Sequence, residues 1–355
     1  MRIAQLLSGR TMNGAVRYCA SLSRRLAARG HQVLLLHRPQ LDLSGFDLQG
    51  VELERTSFQR WPGEVSRVRR LLQAWRADVL HTHMSAAHAY GAILRTFAGV
   101  PAVATAHKRL LQLHWAFNDF VIAPSAVTAA YHHRVNLVPA RKLVVIPNFV
   151  ETEGLAPATA AARAAVRAEL GVGPDALVIG SVGDIMEYKR PSDLVAACGG
   201  LLQARPSARL VLVGGEGDAE EVRRLHAAAA RHPGQVLRLG RRLDAPRLMA
   251  GFDLYAMASR AEEMPMAVLE AMAAGLPVAG TDVGGMAEMV RDGETGLLAP
   301  YGDLPGLSDR IERLAADPAL RRRMGQAGRA RVLADFAPGP IVERVEQVLA
   351  KAARR

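Results

Sequence analysis

Short apolar runs, each followed by a turn and then by a stretch with apolar residues at helical spacing, recur along the chain. In the first half the runs fall at residues 2–7, 32–36, 78–81, 103–106, 120–123 and 143–146. In the second half they fall at 177–182, 209–213, 236–239, 253–257, 277–280 and 295–298. Each reads as a strand buried on both faces, and the helical stretches between them give a repeated β-loop-α order. That order predicts parallel, doubly wound sheets in an α/β fold. The apolar rhythm lapses once, at 149–162, where Gly154, Pro157 and alanines predominate. A linker is therefore predicted at 151–162, between a first Rossmann-like domain at 1–150 and a second at 163–338. An amphipathic C-terminal helix is predicted over 341–352, within a segment at 339–355.

Charge changes this picture. The net charge of +11 is carried by the first half. Residues 1–150 hold 19 Lys and Arg against 7 Asp and Glu, whereas residues 151–355 hold 26 against 27. A basic first half points to an anionic acceptor, such as a lipid-linked glycan, or to an anionic membrane surface. The helix predicted at 62–76 sets Val65, Val68, Leu71, Leu72 and Trp75 on one face and Arg67, Arg69, Arg70 and Arg76 on the other. That is the pattern of a helix lying on lipid, and also of an ordinary helix with a solvated charged face. Nucleic acid is not expected as a partner, because no aromatic-basic interleaving or nucleic-acid module is found. No secretory leader is read at the start, and no apolar run nears the ~20 residues of a membrane span. Cys19 and Cys198 lie among alanines on predicted helices and read as buried thiols of a reducing compartment. The expected location is cytoplasmic, at the inner face of the membrane if lipid is bound.

Candidate chemistry gathers at the carboxyl ends of the predicted strands. Asn13-Gly14-Ala15 would open a helix towards the crevice, where free backbone N–H groups suit a phosphate; a simple tight turn is the other reading. His107 follows the run at 103–106, while His81 and His83 lack a third ligand at metal spacing. In the second half, Gly183 and Lys189-Arg190 follow one strand, Gly215 another, and Leu243 closes a turn after a third. Lys189 is one of only four lysines beside 41 arginines, and as a mobile point charge it suits a diphosphate; a solvated lysine is the competing reading. The densest stretch is 259–285, where Glu262 lies on a loop and Glu270 one turn into a helix, on either side of Met264-Pro265. Carboxylates so placed could accept strong hydrogen bonds from a sugar or ribose diol, or merely complement the helix dipole.

This stretch resembles the retaining glycosyltransferases of the large family that includes bacterial lipopolysaccharide-core and mannosyl transferases. The resemblance rests on Glu262 and Glu270 with seven residues between them, on the run EAMAAGLPV, and on Gly284-Gly285 followed by Glu288. Weaker matches, Ser125 at a helix start and Ile146-Pro147-Asn148, extend it over most of the chain. It implies a GT-B fold with two Rossmann-like domains facing a cleft and a last helix that crosses back to the first domain. It also implies transfer of a sugar, with retained configuration, from a nucleotide diphosphosugar such as a UDP- or GDP-sugar. Catalytic roles then fall to His107, Glu262 and Lys189: His107 would orient the sugar, Glu262 would bind its hydroxyls, and Lys189 would meet the diphosphate. Glu270 would bind the ribose, with Asn13, Gly14, Gly183, Arg190, Gly215, Leu243, Met264 and Pro265 as further donor-binding positions.

Two departures are evident. Where the family has paired glycines the chain has Asn13 and Gly14, a mild change because Asn tolerates positive φ. Where the family has Arg after the loop glycine the chain has Asp184, which would repel phosphate, so that Arg190 would have to supply the second cation. No Asp-x-Asp pair occurs, so no metal and no other cofactor is expected. The reading is a glycosyltransferase of cell-envelope glycan assembly, for instance of lipopolysaccharide. A nucleotide-sugar epimerase on the same fold and a catalytically silent sugar-nucleotide or glycan binder are the alternatives.

Overall fold

Alternate residues of the first seven strands feed two separate apolar layers in the computed structural model, which describes residues 1–153, 155 and 157–354. Gly154 and Ala156 of the predicted linker, and Arg355, lie outside the described residues. The strands are β1 (Arg2–Leu7), β2 (Gln32–His37), β3 (Val51–Arg55), β4 (Val79–His83), β5 (Ala102–Thr105), β6 (Phe120–Ala123) and β7 (Leu143–Val145). They form one parallel sheet in the order β3-β2-β1-β4-β5-β6-β7. Ile3, Val33, Val79 and Val103 enter one layer, and Ala4, Leu34, Leu80 and Ala102 the other. Burial on both faces is why these strands read as unbroken apolar runs.

Strand β3 was not predicted. It is an edge strand whose Glu52 and Leu53 are exposed, so it carries charge where the other strands carry Val and Leu. Such polarity protects the edge from pairing with other chains.

The helix Pro62–Trp75 carries the predicted amphipathic pattern. Val68 and Leu72 are fully buried in the layer of Leu34 and Leu80, and Val65, Leu71 and Trp75 pack on it. Arg67 on the other face bonds Glu54, Glu64 and the carbonyl of Arg55. The apolar face expected to reach lipid is spent on the core.

This first unit comprises Met1–Phe149 and Pro338–Arg355. The helix Pro338–Ala353 lays Ile341, Val342, Val345 and Leu349 against Ile3, Leu22, Val79 and Val103. Glu346 fastens it, bonding Arg29 at 2.6 Å and His31 at 3.0 Å.

The second unit, Val150–Ala337, carries β8 (Val178–Val182), β9 (Arg209–Val213), β10 (Val236–Arg238), β11 (Leu254–Met257), β12 (Val278–Asp282) and β13 (Gly296–Pro300). These form a parallel sheet in the order β10-β9-β8-β11-β12-β13. The same alternation holds: Leu254 and Ala256 face one apolar layer, Tyr255 and Met257 the other. The helix Ala160–Glu169, capped by Thr159, begins inside the stretch expected to be linker. Its buried Arg167 bonds Asp253 at 2.7 Å, and Asp253 also accepts the Val178 N–H, so one carboxylate sets the starts of β8 and β11.

The C-terminal helix should be integral to the first unit. Leu349→Ala is expected to cost that unit about 2–5 kcal/mol, as large-to-small changes in a packed core do. All three tryptophans lie in this unit, so the denaturant midpoint followed by tryptophan fluorescence reads it alone. Leu333→Ala, at a side chain about half exposed in the second unit, should leave that midpoint unchanged.

Candidate functional site

In the second sheet the strand order reverses between β8 and β11: the chain runs from β8 outward to β9 and β10, then returns to β11 and continues the other way. The loops leaving β8 and β11 therefore diverge and open a crevice at their carboxyl ends. A cavity of roughly 370 Å³ lies there, lined among others by Gly183, Asp184, Lys189, Gly214, Arg238, Tyr255, Ser259 and Pro265.

Backbone contact shapes this cavity. A Cβ on Gly214 would stand 2.0 Å from the carbonyl oxygen of Gly183, so the two loops touch at a point only glycine can occupy. Gly183 N–H donates to Val213 O at 2.8 Å, and Gly214 N–H to Gly240 O at 2.9 Å, which joins three loops across the strand ends.

Lys189 and Glu262 meet at this edge, Nζ to Oε1 at 2.5 Å. Burial opposes the lysine charge, but the Glu262 carboxylate outweighs it and holds the ammonium above its ordinary pKa. The pair brings together two of the three predicted catalytic residues. Glu270 is buried on the helix Met266–Ala273, which Pro265 opens from the cavity wall. Met264 is buried in the apolar layer, and Leu243 is more than half exposed, away from the lining residues.

Asp184 does not act as the sequence suggested. Its Oδ1 accepts the Gly215 N–H at 2.9 Å, and its Oδ2 meets Arg241 at 3.0 Å. The acid pins a turn and is charge-matched by Arg241, so its repulsion of an anion is largely cancelled. The Gly215 amide is correspondingly taken up. Arg190 is held by Asp193 at 3.4 Å, Glu187 at 3.9 Å and the Tyr301 hydroxyl at 3.4 Å, and it is not among the lining residues. The second cation at the cavity is instead Arg238, paired with Glu216 at 2.8 Å. Tyr255 was missed as well: its hydroxyl donates to Val182 O at 3.2 Å, and burial pushes its pKa up to about 12. It sits inside an apolar run, where nothing in the pattern set it apart.

In the first unit the order reverses between β1 and β4. Asn13 caps the helix Gly14–Ala28, its Oδ1 accepting the Val16 N–H at 3.1 Å. Its φ is −156°, so Asn replaces glycine here as a cap and not through tolerance of positive φ. His107 lies two residues beyond β5, half-buried, with Nε2 2.9 Å from Nδ1 of His83; His83 Nε2 is 2.9 Å from Gln5 Oε1. Tyr18 packs edge-on against the His107 ring. One proton lies between the two facing imidazole nitrogens, an arrangement suited to neutral rings. Burial lowers the pKa of His107 to about 4 and that of His83 well below the ordinary value. Among the described residues no three His, Cys, Asp or Glu side chains are grouped to hold a metal.

These shifts give the first unit a pH dependence of known sign. Between about pH 6.5 and 4 the unfolded chain takes up protons that the folded chain excludes, so stability falls on acidification. Each excluded proton contributes about 1.4 kcal/mol per pH unit. Tryptophan-detected unfolding across this range should show that loss, and His107→Gln should make its slope shallower.

Comparison with known proteins agrees with this architecture. The model for glycosyltransferase family 4 matches residues 12–153, and that for glycosyl transferases group 1 matches residues 162–331. Alpha-maltose-1-phosphate synthase of Mycobacterium tuberculosis is 31% identical over 78% of this chain and 79% of its own. N-acetyl-alpha-D-glucosaminyl L-malate synthase of Bacillus anthracis is 27% identical over 92% and 91%. The crystal structure of Anabaena HepE in complex with UDP and glucose superposes with a TM-score of 0.87, at 23% identity, over 98% of this chain and 99% of that one, a likeness of fold. Matched along both units by models of one enzyme group and by a relative that is 31% identical over most of both chains, the protein belongs to the family 4 type of GT-B glycosyltransferases.

Proposed function

We propose that the protein transfers a sugar, with retention of configuration, from a nucleotide diphosphosugar to an anionic acceptor, without a metal ion. The observation that carries this reading is the Lys189–Glu262 pair at the rim of the second-unit crevice. In the reaction the bond from the anomeric carbon to the diphosphate breaks, and its electron pair leaves with the nucleoside diphosphate. The developing negative charge needs a cation in a partly dry site, which is the role assigned to Lys189, with Arg238 as a second cation. Glu262 holds Lys189 in place before the donor arrives and accepts sugar hydroxyls once it is bound. Glu270 is assigned the ribose diol and His107 a hydroxyl of the transferred sugar. HepE, solved with UDP and glucose, supports a nucleotide-sugar donor. The names of the two relatives, with a 1-phosphate and an L-malate product, support an anionic acceptor. The basic first half supports the same conclusion and a place in cell-envelope glycan assembly.

Calorimetric titration of UDP, GDP and ADP identifies the donor base. One nucleotide should bind, and Glu270→Ala should weaken it by about 1.5–3 kcal/mol, as loss of a charged hydrogen bond does. Binding of none at millimolar concentration would exclude the reading. Sugar transfer should also persist in excess chelator; loss with EDTA that manganese or magnesium restores would refute metal independence.

A further inference from the structure

A second cavity, of roughly 360 Å³, opens in the first unit and is lined by Arg10, Arg38, Pro39, Gln40, Ser57 and Gln59. Arg10 lies on the loop after β1, Arg38 directly follows β2, and Ser57 and Gln59 follow β3. The cavity thus occupies the carboxyl edge of the sheet, the edge on which Asn13 and His107 also stand. Among the described residues no carboxylate pairs with Arg10 or Arg38, whereas the arginine at the second-unit cavity, Arg238, is paired with Glu216.

Arg38 is fixed in place before any ligand arrives. Its Nε donates to Ser8 O at 3.0 Å and its Nη1 to Ser57 O at 2.5 Å, and its guanidinium lies 5.5 Å from the centre of the Phe58 ring. Phe58 is buried and has a φ of 55°, a conformation costly for a bulky residue and of the kind that accumulates at functional sites. The strained turn is held by Glu64, which accepts from Thr56 Oγ1 and Ser57 N–H and is itself matched by Arg67. Arg10 and Arg38 line the same cavity with no carboxylate among its lining residues, and burial, with the charge of Arg10 second, lowers the pKa of Arg38. A dianion placed between the two arginines would meet both charges, and the neutral amides of Gln40 and Gln59 could bond its remaining oxygens.

We propose that this cavity is the subsite for a phosphate group on the acceptor, held by Arg10 and Arg38. The inference rests on the transferase reading above and narrows it: the acceptor is a phosphate monoester, free or lipid-borne. Arg10 and Arg38 hold the phosphate and so fix the orientation of the acceptor on the first unit.

The test is protection from an arginine-specific dicarbonyl reagent, read by peptide mass spectrometry on the full chain, with inorganic phosphate, glucose 1-phosphate and phosphatidic acid vesicles as separate probes. A probe at twice its dissociation constant should slow modification of Arg10 about threefold, while the exposed Arg223 reacts as before. Protection by the two soluble probes assigns a free phosphorylated acceptor, and protection by the vesicles alone assigns a lipid-borne one; either supports the subsite. No protection by any probe, or equal protection of Arg223, overturns it. Nucleotide binding measured on the same sample separates the two readings. Nucleotide binding without protection sinks only the subsite; protection without nucleotide binding leaves an anion site but removes the transferase reading.

Discussion

Both sheets are covered by apolar layers on their two faces, and this constraint determines where chemistry can occur. A parallel strand buried on both sides admits a polar side chain along its length only where that side chain has a partner, as Gln5 has in His83 and His81 in Thr105, so most polar residues collect where strands end. The loops at the carboxyl ends carry them in each unit: Gly183 to Lys189 and Ser259 to Pro265 in the second, Ser8 to Asn13 and His107 in the first. The reversal of strand order then separates neighbouring loops and makes the crevice. The site follows from how the core is built, before any particular side chain is considered.

Charge within the second unit's crevice is arranged in matched pairs. Lys189 with Glu262, Asp184 with Arg241 and Arg238 with Glu216 each place a cation against an anion at hydrogen-bond distance. Only the Lys189–Glu262 pair is well buried, so removing one of its partners would leave a poorly compensated charge, whereas the other two pairs are partly open to solvent. Matched pairs also let a ligand anion enter by exchanging partners, without meeting a bare charge beforehand. The cavity beside Arg10 and Arg38 is built differently, with two cations and no anion among its lining residues.

Much of this was legible in the sequence, for identifiable reasons. The strands buried on both faces were visible as largely apolar runs, because two-sided burial leaves few polar positions to interrupt them, Gln5 in β1 and His81 to His83 in β4 being such positions. The edge strand β3 was not, since three of its five residues, Glu52, Glu54 and Arg55, are charged and it is exposed along much of its length, so it looks like loop. The helix Pro62–Trp75 was found, but its partner was not: amphipathicity states that one face is covered without stating by what. The Lys189 and Glu262 pair was singled out by residue type and spacing. The roles of Asp184 and Arg241 depend on a contact between residues 57 positions apart, which no local pattern encodes. Asn13 illustrates a subtler limit, because asparagine suits both a left-handed turn and a helix cap, and only the backbone decides between them.

The helix Pro338–Ala353 has a consequence for how the molecule is made. It belongs to the first unit, yet the whole second unit lies between it and the rest of that unit in the chain. During synthesis the second unit is a contiguous segment and can close on itself as soon as it emerges. The first unit, although begun earlier, keeps the layer around Ile3, Leu22, Val79 and Val103 uncovered until the helix Pro338–Ala353 has been added. Its completion pairs segments separated in the chain by the whole of Val150–Ala337, a non-local contact that is slow to form, and the nascent protein is exposed to aggregation for that interval. Residues translated before the second unit are therefore among the last to reach their native surroundings.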